Sequence, residues 1–470
     1  MSDQPALNPD QKAAFKAIQK FLDHPAANVF VLKGYAGTGK TFLMQRIAKW
    51  LEEKEKKFRM LAATGRAASV LKGKTGFTAS TVHGEVYRFS KIDGLDDHIG
   101  NSAANTNNAQ MTLQFMIRPP DQEAIIYIVD EASMLSAEMG VSDSLAVFGS
   151  GVLLDDFFQA AGNNKIIFVG DPCQLPPVGS AFSPALDTEW LSRQQKVTVS
   201  VTLTLIERTK GTNDILVLAG AIRAMRDDKT PGRFPKLPAS GLSNVKLHTT
   251  DKVMFNDYAA KYKALGINKV LAIARSNKMV QQLNRAMRRE LFGSEHEPLR
   301  EGDVLLVTQN NYAFPLTNGD FVVVSELGTI TTKAALKFQK VRITAVASGK
   351  EYSIILSLDT LSSLKGSLTN DDSKYLMIDF SERMRAKGIA QSSELYQTAM
   401  REDEYVNCLK VSYGYAVTCH KAQGGEWNNV YLFLEKSMYG MPYPELCNWW
   451  YTAVTRAKEE LNLVNNWWVR

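Results

Sequence analysis

At 470 residues, with 45% hydrophobic and 22% charged side chains, the chain is too long for one ordinary core and has the make-up of a globular protein of roughly three or four domains. It lacks low-complexity tracts, long internal repeats and apolar runs of bilayer length, which argues against a disordered scaffold, a solenoid and a helical membrane protein. A net charge of +6 permits a polyanionic partner without demanding one. The start, MSDQPALNPDQ, is not a secretory signal, and Cys173, Cys408, Cys419 and Cys447 form no C-x-x-C pair. A reducing, cytoplasmic setting without structural zinc is therefore expected.

In chain order, Phe15, Ile18 and Leu22 predict a helix from Pro9 to about His24. Gln11 at its start carries an amide that matches an adenine edge, while spacing alone favours a solvated helix-start residue. Val29 to Leu32 reads as a buried parallel strand. It delivers GYAGTGKT, Gly34 to Thr41, a G-x-x-x-x-G-K-[ST] phosphate loop, and Leu43, Ile47 and Leu51 predict the helix that follows. Backbone amides at that helix start favour bound phosphate, with Lys40 reaching the β/γ-phosphates and Thr41 the magnesium.

Phe58 to Ala63 reads as a second strand ending in Thr64-Gly65-Arg66-Ala67-Ala68, and Ser80-Thr81-Val82-His83-Gly84 follows. By themselves both tracts fit ordinary loop-to-helix turns. From Glu85 to Pro120 an asparagine-rich centre, Asn101 to Asn108, has strand-like flanks that include Thr112, Phe115 and Ile117, as in an inserted hairpin. Another apolar strand, Ala124 to Val129, releases Asp130 and Glu131. Adjacent carboxylates suit nucleotide hydrolysis, one holding magnesium and the other orienting or deprotonating water. Lys165 to Val169 then releases Gly170-Asp171-Pro172-Cys173-Gln174. Clusters at the carboxyl ends of parallel strands converge on one edge, where Gln174 would sense a terminal phosphate.

A second α/β half begins near Leu205 with Ile206-Glu207-Arg208-Thr209. It continues through a strand at Val270 to Ala274 and a helix capped by Ser276. Short strand-like pieces at Phe321 to Val324, Val341 to Val346 and Tyr352 to Leu356 predict a small inserted β-domain, while Asp371 to Met400 is assigned no element. The last tract carries Tyr415 to Trp427 (YAVTCHKAQGGEW), a strand at Val430 to Leu434, and WYTAVTRA from Trp450 to Ala457. A guanine-reading N-K-x-D is missing, because Asn277-Lys278 is followed by Met279-Val280, which argues against a GTPase switch.

Together, the Gln11 region, GYAGTGKT, AATGRAA, STVHG, VDEASM, GDPCQLPPV, LIERT, YAVTCHKAQGGEW and WYTAVTRA resemble a superfamily 1B DNA helicase of the RecD/Dda type. The resemblance implies an α/β fold of two RecA-like parallel-sheet motor domains with an inserted hairpin and an inserted small β-barrel-like domain. It places the first motor at 1–84 and 121–205, the hairpin, a candidate duplex-splitting pin, at 85–120, the second motor at 206–310 and 406–470, and the β-rich insertion at 311–405. It implies ATP and Mg2+ as cofactors and 5′ to 3′ translocation by a monomer. Its substrates would be single-stranded DNA and duplex with a 5′ tail, with replication or repair proteins as partners; a translocase subunit that unwinds little alone is the alternative.

Carried over, Lys40, Asp130, Glu131, Gln174, Arg208 and Arg456 are catalytic, the two arginines coming from the second motor. Gln11, Gly34, Ala36, Gly37, Thr38, Gly39, Lys40, Thr41, Gly425 and Glu426 lie on nucleotide, and Thr41 and Asp130 on the metal. Thr64, Arg66, Thr81, His83, Thr418 and His420 lie on DNA. Phe115, in the strand-like flank of the hairpin, is a candidate wedge aromatic, with burial in the strand pair as the competing reading.

Overall fold

The computed structural model describes residues 6–93, 112–140, 146–206, 213–228, 234–293, 299–311 and 314–470. Arg208 and the asparagine-rich centre of the predicted hairpin lie outside these residues.

The first half supplies β1 (Val29–Gly34), β2 (Phe58–Ala62), β3 (Ala79–Thr81), β4 (Tyr87–Asp93), β5 (Thr112–Ile117), β6 (Ile126–Asp130), β7 (Ala146–Phe148), β8 (Lys165–Gly170) and β9 (Thr198–Leu203). Six of these form a parallel sheet in the order β3-β2-β6-β8-β1-β9. Its strands read as apolar runs because both faces are covered. Helices Pro9–Asp23 and Lys40–Glu53 pack on one face through Ile18, Phe21, Leu43 and Ile47, and Leu154, Phe157 and Leu186 pack on the other. Because β6, β8 and β1 are neighbours, the loops after Asp130, Gly170 and Gly34 open on one edge.

The second half supplies β10 (Val245–His248), β11 (Val270–Ala274), β12 (Val304–Val307), β13 (Phe321–Lys333), β14 (Leu336–Ala345), β15 (Glu351–Ser357), β16 (Val411–Tyr413), β17 (Ala416–Thr418), β18 (Trp427–Phe433) and β19 (Ala457–Val464). A second parallel sheet runs β10-β19-β18-β11-β17, and an antiparallel sheet runs β15-β14-β13-β12-β16. The antiparallel sheet draws β12 and β16 from outside the expected span of 311–405. An apolar run such as Val304–Val307 fits a buried strand of either sheet, so its pattern does not say which one it joins. The two sheets are bolted together by Asp303, whose carboxylate accepts from Arg288 Nε and Nη2 at 3.0 Å each and from the Tyr415 hydroxyl at 2.8 Å.

β4 and β5 pair antiparallel and β7 joins β5, giving a separate three-stranded sheet. The segment Asp371 to Met400 falls in two helices, Asn370–Ala386 and Glu394–Glu402. Phe89 and Leu113 of the strand pair pack on Met377, Phe380, Met384, Tyr396 and Met400 of these helices. No helix among the described residues is long and apolar enough to cross a membrane.

Candidate nucleotide and nucleic-acid site

The phosphate loop turns sharply at Gly37 and Gly39, both at positive φ (82° and 78°), so its amides face the edge of the sheet. Lys40 Nζ donates to the Gly34 and Tyr35 carbonyls at 2.7 and 3.1 Å and lies 3.9 Å from Asp171 Oδ2. In this conformation the lysine is folded back on its own loop. Gln11 departs from the adenine-reading expectation. Its amide oxygen accepts from Asn8 N–H in a capping box and its Nε2 donates to the Thr38 carbonyl at 3.1 Å. It is 2% exposed and braces the loop from below.

Asp130 ends β6, and Glu131 follows in a left-handed conformation with φ 50°. Burial, reinforced by the Glu131 carboxylate, pushes the Asp130 carboxyl up to about 7, and Glu131 Oε2 is buried without a partner. A divalent cation fits this donor set, since it relieves the repulsion and holds Asp130 ionised. Among the described residues no group of three His, Cys, Asp or Glu forms a protein cage. That suits magnesium, which is commonly held by one or two protein oxygens plus substrate phosphates and water.

The second parallel-sheet domain reaches directly onto this site. Tyr451, on helix Tyr443–Val454, accepts from Ala36 N–H at 2.9 Å and donates to Asp171 Oδ2 at 2.8 Å. Leu175 N–H donates to Thr452 Oγ1 at 2.8 Å, and Gln423 Nε2 donates to the Leu175 carbonyl at 3.2 Å. Arg223 lies over the Tyr35 ring at 4.0 Å. Arg456 is held inside its own domain, donating to the Thr452 carbonyl, the Gly425 carbonyl and Thr455 Oγ1 at 2.9–3.1 Å. Glu426 pairs with Lys74 of the first domain at 3.5 Å and with Lys458 at 3.8 Å. Neither Gly425 nor Glu426 stands open for nucleotide here. Gln174 is 4% exposed and its amide oxygen has no partner.

On the expected nucleic-acid side, the Thr64 and Thr81 hydroxyls cap helices Gly65–Thr75 and Val82–Val86 by accepting from Ala67 and Gly84 N–H. His83 packs edge-on against Phe148 (5.8 Å) and near Tyr87 (5.6 Å). Burial lowers the pKa of both His83 and His420. Arg66 departs from a DNA-contacting role. Its guanidinium is clamped over Trp427 (4.3 Å) and Phe321 (4.9 Å), its Nε has no partner, and burial lowers its pKa to about 10. Phe115 is no exposed wedge: it is buried, stacked on Phe148 at 4.7 Å and edge-on to Phe89 at 5.6 Å. The exposed apolar residues of that small sheet are Met116 (61%) and Val147 (38%).

A family model described as an AAA domain matches residues 6–233, and one described as a UvrD-like helicase C-terminal domain matches residues 413–464. An ATP-dependent DNA helicase Pif1 from Bdellovibrio bacteriovorus is 31% identical over 173 residues, covering 37% of this chain and 33% of its own length. In these matches the chain is similar to Pif1/RecD-like helicases of superfamily 1B. The uncharacterized protein R530 of Acanthamoeba polyphaga mimivirus is 23% identical over 517 residues, 97% of this chain and 99% of that one. Bacteroides Pif1 bound to single-stranded DNA superposes with a TM-score of 0.50 at 15% identity, covering 98% of this chain and 92% of that one, a likeness of fold.

The two RecA-like domains thus bring together Gly34 to Thr41, Asp171 and the segment after it, with Asp130 on the same edge. Sequence reasoning missed Tyr451, Thr452 and Gln423. All three lie inside motifs that had been singled out for a neighbouring arginine or histidine. Their buried hydroxyl and amide groups, two of them next to an apolar helix stripe, were the available signal.

Proposed function

We propose that this ATP-dependent DNA helicase binds ATP with magnesium between its motors and uses hydrolysis to run 5′ to 3′ along single-stranded DNA, opening duplex ahead of it. The observation that carries the reading is Tyr451, which reaches from the second motor to both the phosphate-loop amide of Ala36 and Asp171. That contact ties the phosphate loop to the second motor, so nucleotide state and motor spacing are linked.

In this mechanism Lys40 leaves the Gly34 and Tyr35 carbonyls for the β/γ-phosphates. Thr41 and Asp130 would hold a magnesium ion, which when bound would neutralise phosphate charge. Glu131 takes the proton of the attacking water, and Gln174 donates its amide N–H to the terminal phosphate. Arg456 gives up its three internal hydrogen bonds to meet charge that develops in the transition state, as does Arg208. Contacts to phosphate and sugar from Thr64, Thr81, His83, Thr418 and His420 make binding tolerant of sequence and sensitive to salt. The packing of Phe89 and Leu113 on the inserted helices gives the strand pair the firm mounting that strand separation requires.

Steady-state ATPase and unwinding on 5′-tailed, 3′-tailed and blunt duplexes test the proposal. Unwinding confined to the 5′-tailed substrate is expected. Unwinding of the 3′-tailed substrate refutes the polarity, and single-strand-stimulated ATPase without unwinding assigns the protein as a translocase subunit.

A further inference from the structure

We propose that a pocket on the second motor, between helix Asn277–Phe292 and the segment Leu358–Lys365, receives one nucleotide of the tracking strand, with its base inserted and its phosphate at the rim. The inference rests on the single-strand reading above and adds to it a defined subsite.

The cavity measures about 280 Å³. That is close to the ~300 Å³ lower bound of small-molecule sites, which suits one base with its sugar rather than a stacked run. Its interior is apolar, with Val280, Leu358 and Leu361, and Tyr413 lines it too. Among the described residues no carboxylate lines it, while Arg285, Arg288, Lys365 and Lys421 do. Among the described residues neither Arg285 nor Lys421 has an ion-pair partner, and burial alone lowers the pKa of Lys421. A half-buried ammonium without a counter-ion is poorly compensated, and an arriving phosphate supplies the missing charge. Thr418 also lines the pocket, and its hydroxyl, unlike those of Thr64 and Thr81, caps no helix.

The walls are set before any ligand arrives. Asn284 spends its amide on the loop that forms the floor, donating to the Tyr413 and Ala416 carbonyls at 2.9 and 3.3 Å and accepting from Ala416 N–H at 2.7 Å. Arg288 sits 4.3 Å over the Tyr413 ring and is locked by Asp303. Behind the facing segment Leu358–Lys365, Thr360 accepts from Val411 N–H at 3.2 Å, and Thr308 donates to the Gly366 carbonyl. Leu364 stands 58% exposed at the mouth. Pre-organised walls lower the ordering cost of binding. An apolar interior with a cationic, carboxylate-free lining selects a flat, partly apolar anion, and a nucleotide of a single strand is that chemistry.

The test uses the full chain and short single strands carrying 2-aminopurine at each position in turn. One register should brighten several-fold, because its base leaves the stack, and Leu361→Trp, which fills the cavity, should abolish that brightening. Lys421→Met and Arg285→Met change only the lining cations. Each should flatten the dependence of log affinity on log salt by about 0.7, one single-strand phosphate contact. Equal fluorescence at every position from a strand that binds by anisotropy overturns the pocket and leaves the helicase reading standing. Absence of any anisotropy change overturns the single-strand reading and the pocket with it. Unchanged salt slopes in both cation variants also refute the assignment.

Discussion

Removing one oxygen from Tyr451 tests how the two motors share the nucleotide. The hydroxyl is buried in a side chain only 3% exposed, and its pKa is raised well above the usual tyrosine value by burial and Asp171, so it stays protonated and donates. Tyr451→Phe keeps the ring and deletes two hydrogen bonds, to the Asp171 carboxylate at 2.8 Å and from Ala36 N–H at 2.9 Å. A bond to a charged group contributes roughly 1.5–3 kcal/mol and a neutral one about 0.5–1.5, so the closed arrangement loses ~2–4 kcal/mol. In the proposed mechanism nucleotide binds to the first motor without this hydroxyl, whereas hydrolysis needs the second motor close. The expected outcome is a DNA-stimulated kcat lowered at least ~10-fold, at roughly 1.4 kcal/mol per decade, with nucleotide Kd changed by less than about threefold. Steady-state ATPase and titration with a fluorescent ATP analogue measure the two. A normal kcat, or a loss confined to nucleotide affinity, refutes the coupling.

Arg456→Ala should bind ATP normally and hydrolyse it about 10³-fold or more slowly, the scale of arginine fingers; an equal loss of affinity and rate would place Arg456 in ground-state binding. Phe115→Ala should cost about 3–5 kcal/mol of stability, seen in chemical denaturation, because it empties the Phe89–Phe115–Phe148 cluster. Loss of unwinding with full stability would revive a wedge role. Acid should destabilise the fold: burial holds the folded pKa of His83 and His420 below the ordinary 6.5, so the unfolded chain binds more protons once pH falls through that value. The melting temperature should drop as pH falls from about 7.5 to about 5.5, and less steeply in His83→Gln, where a constant slope would show that the ring is solvated.

The parallel sheets were legible because both their faces are covered. Runs such as Val29 to Leu32 and Ile166 to Val169 are apolar throughout, and each is followed at once by a polar cluster. The glycine-rich loop and the Asp130–Glu131 pair could be located because their chemistry fixes residue type and spacing. The contacts of Arg66 and Phe115 were not legible for a shared reason. What they touch is set by partners far along the chain, Trp427 and Phe321 for one and Phe148 for the other, and no local spacing encodes such pairs. The helices at 370–402 were missed because their buried face is short and mixed, with Met377, Phe380 and Met384 packing on a strand pair of the other motor. Gln11 shows a third limit: its amide can read adenine, cap a helix or brace a loop, and only the positions of Asn8 and Thr38 select the last two.

The segment from Asp171 to Leu175 has a property that none of its residues has alone. The second motor holds it at three points, Tyr451 on Asp171 and both Thr452 and Gln423 on Leu175. Gln423 directly follows the short helix Cys419–Ala422, whose N-cap is Thr418 and which carries His420 and Lys421. A shift of Asp171 on nucleotide binding therefore has a route to the expected strand-binding residues, along the backbone to Leu175, across its hydrogen bond with Gln423 and into the short helix. Gln423→Leu should leave ATPase without DNA nearly unchanged while reducing its stimulation by single strands. Paired with Tyr451→Phe, it should show an interaction energy of about 0.5–2 kcal/mol in a double-mutant cycle read on stimulated kcat, because both substitutions cut the same route. Strict additivity would mean that the two contacts act independently and that the strand signals to the nucleotide by another route.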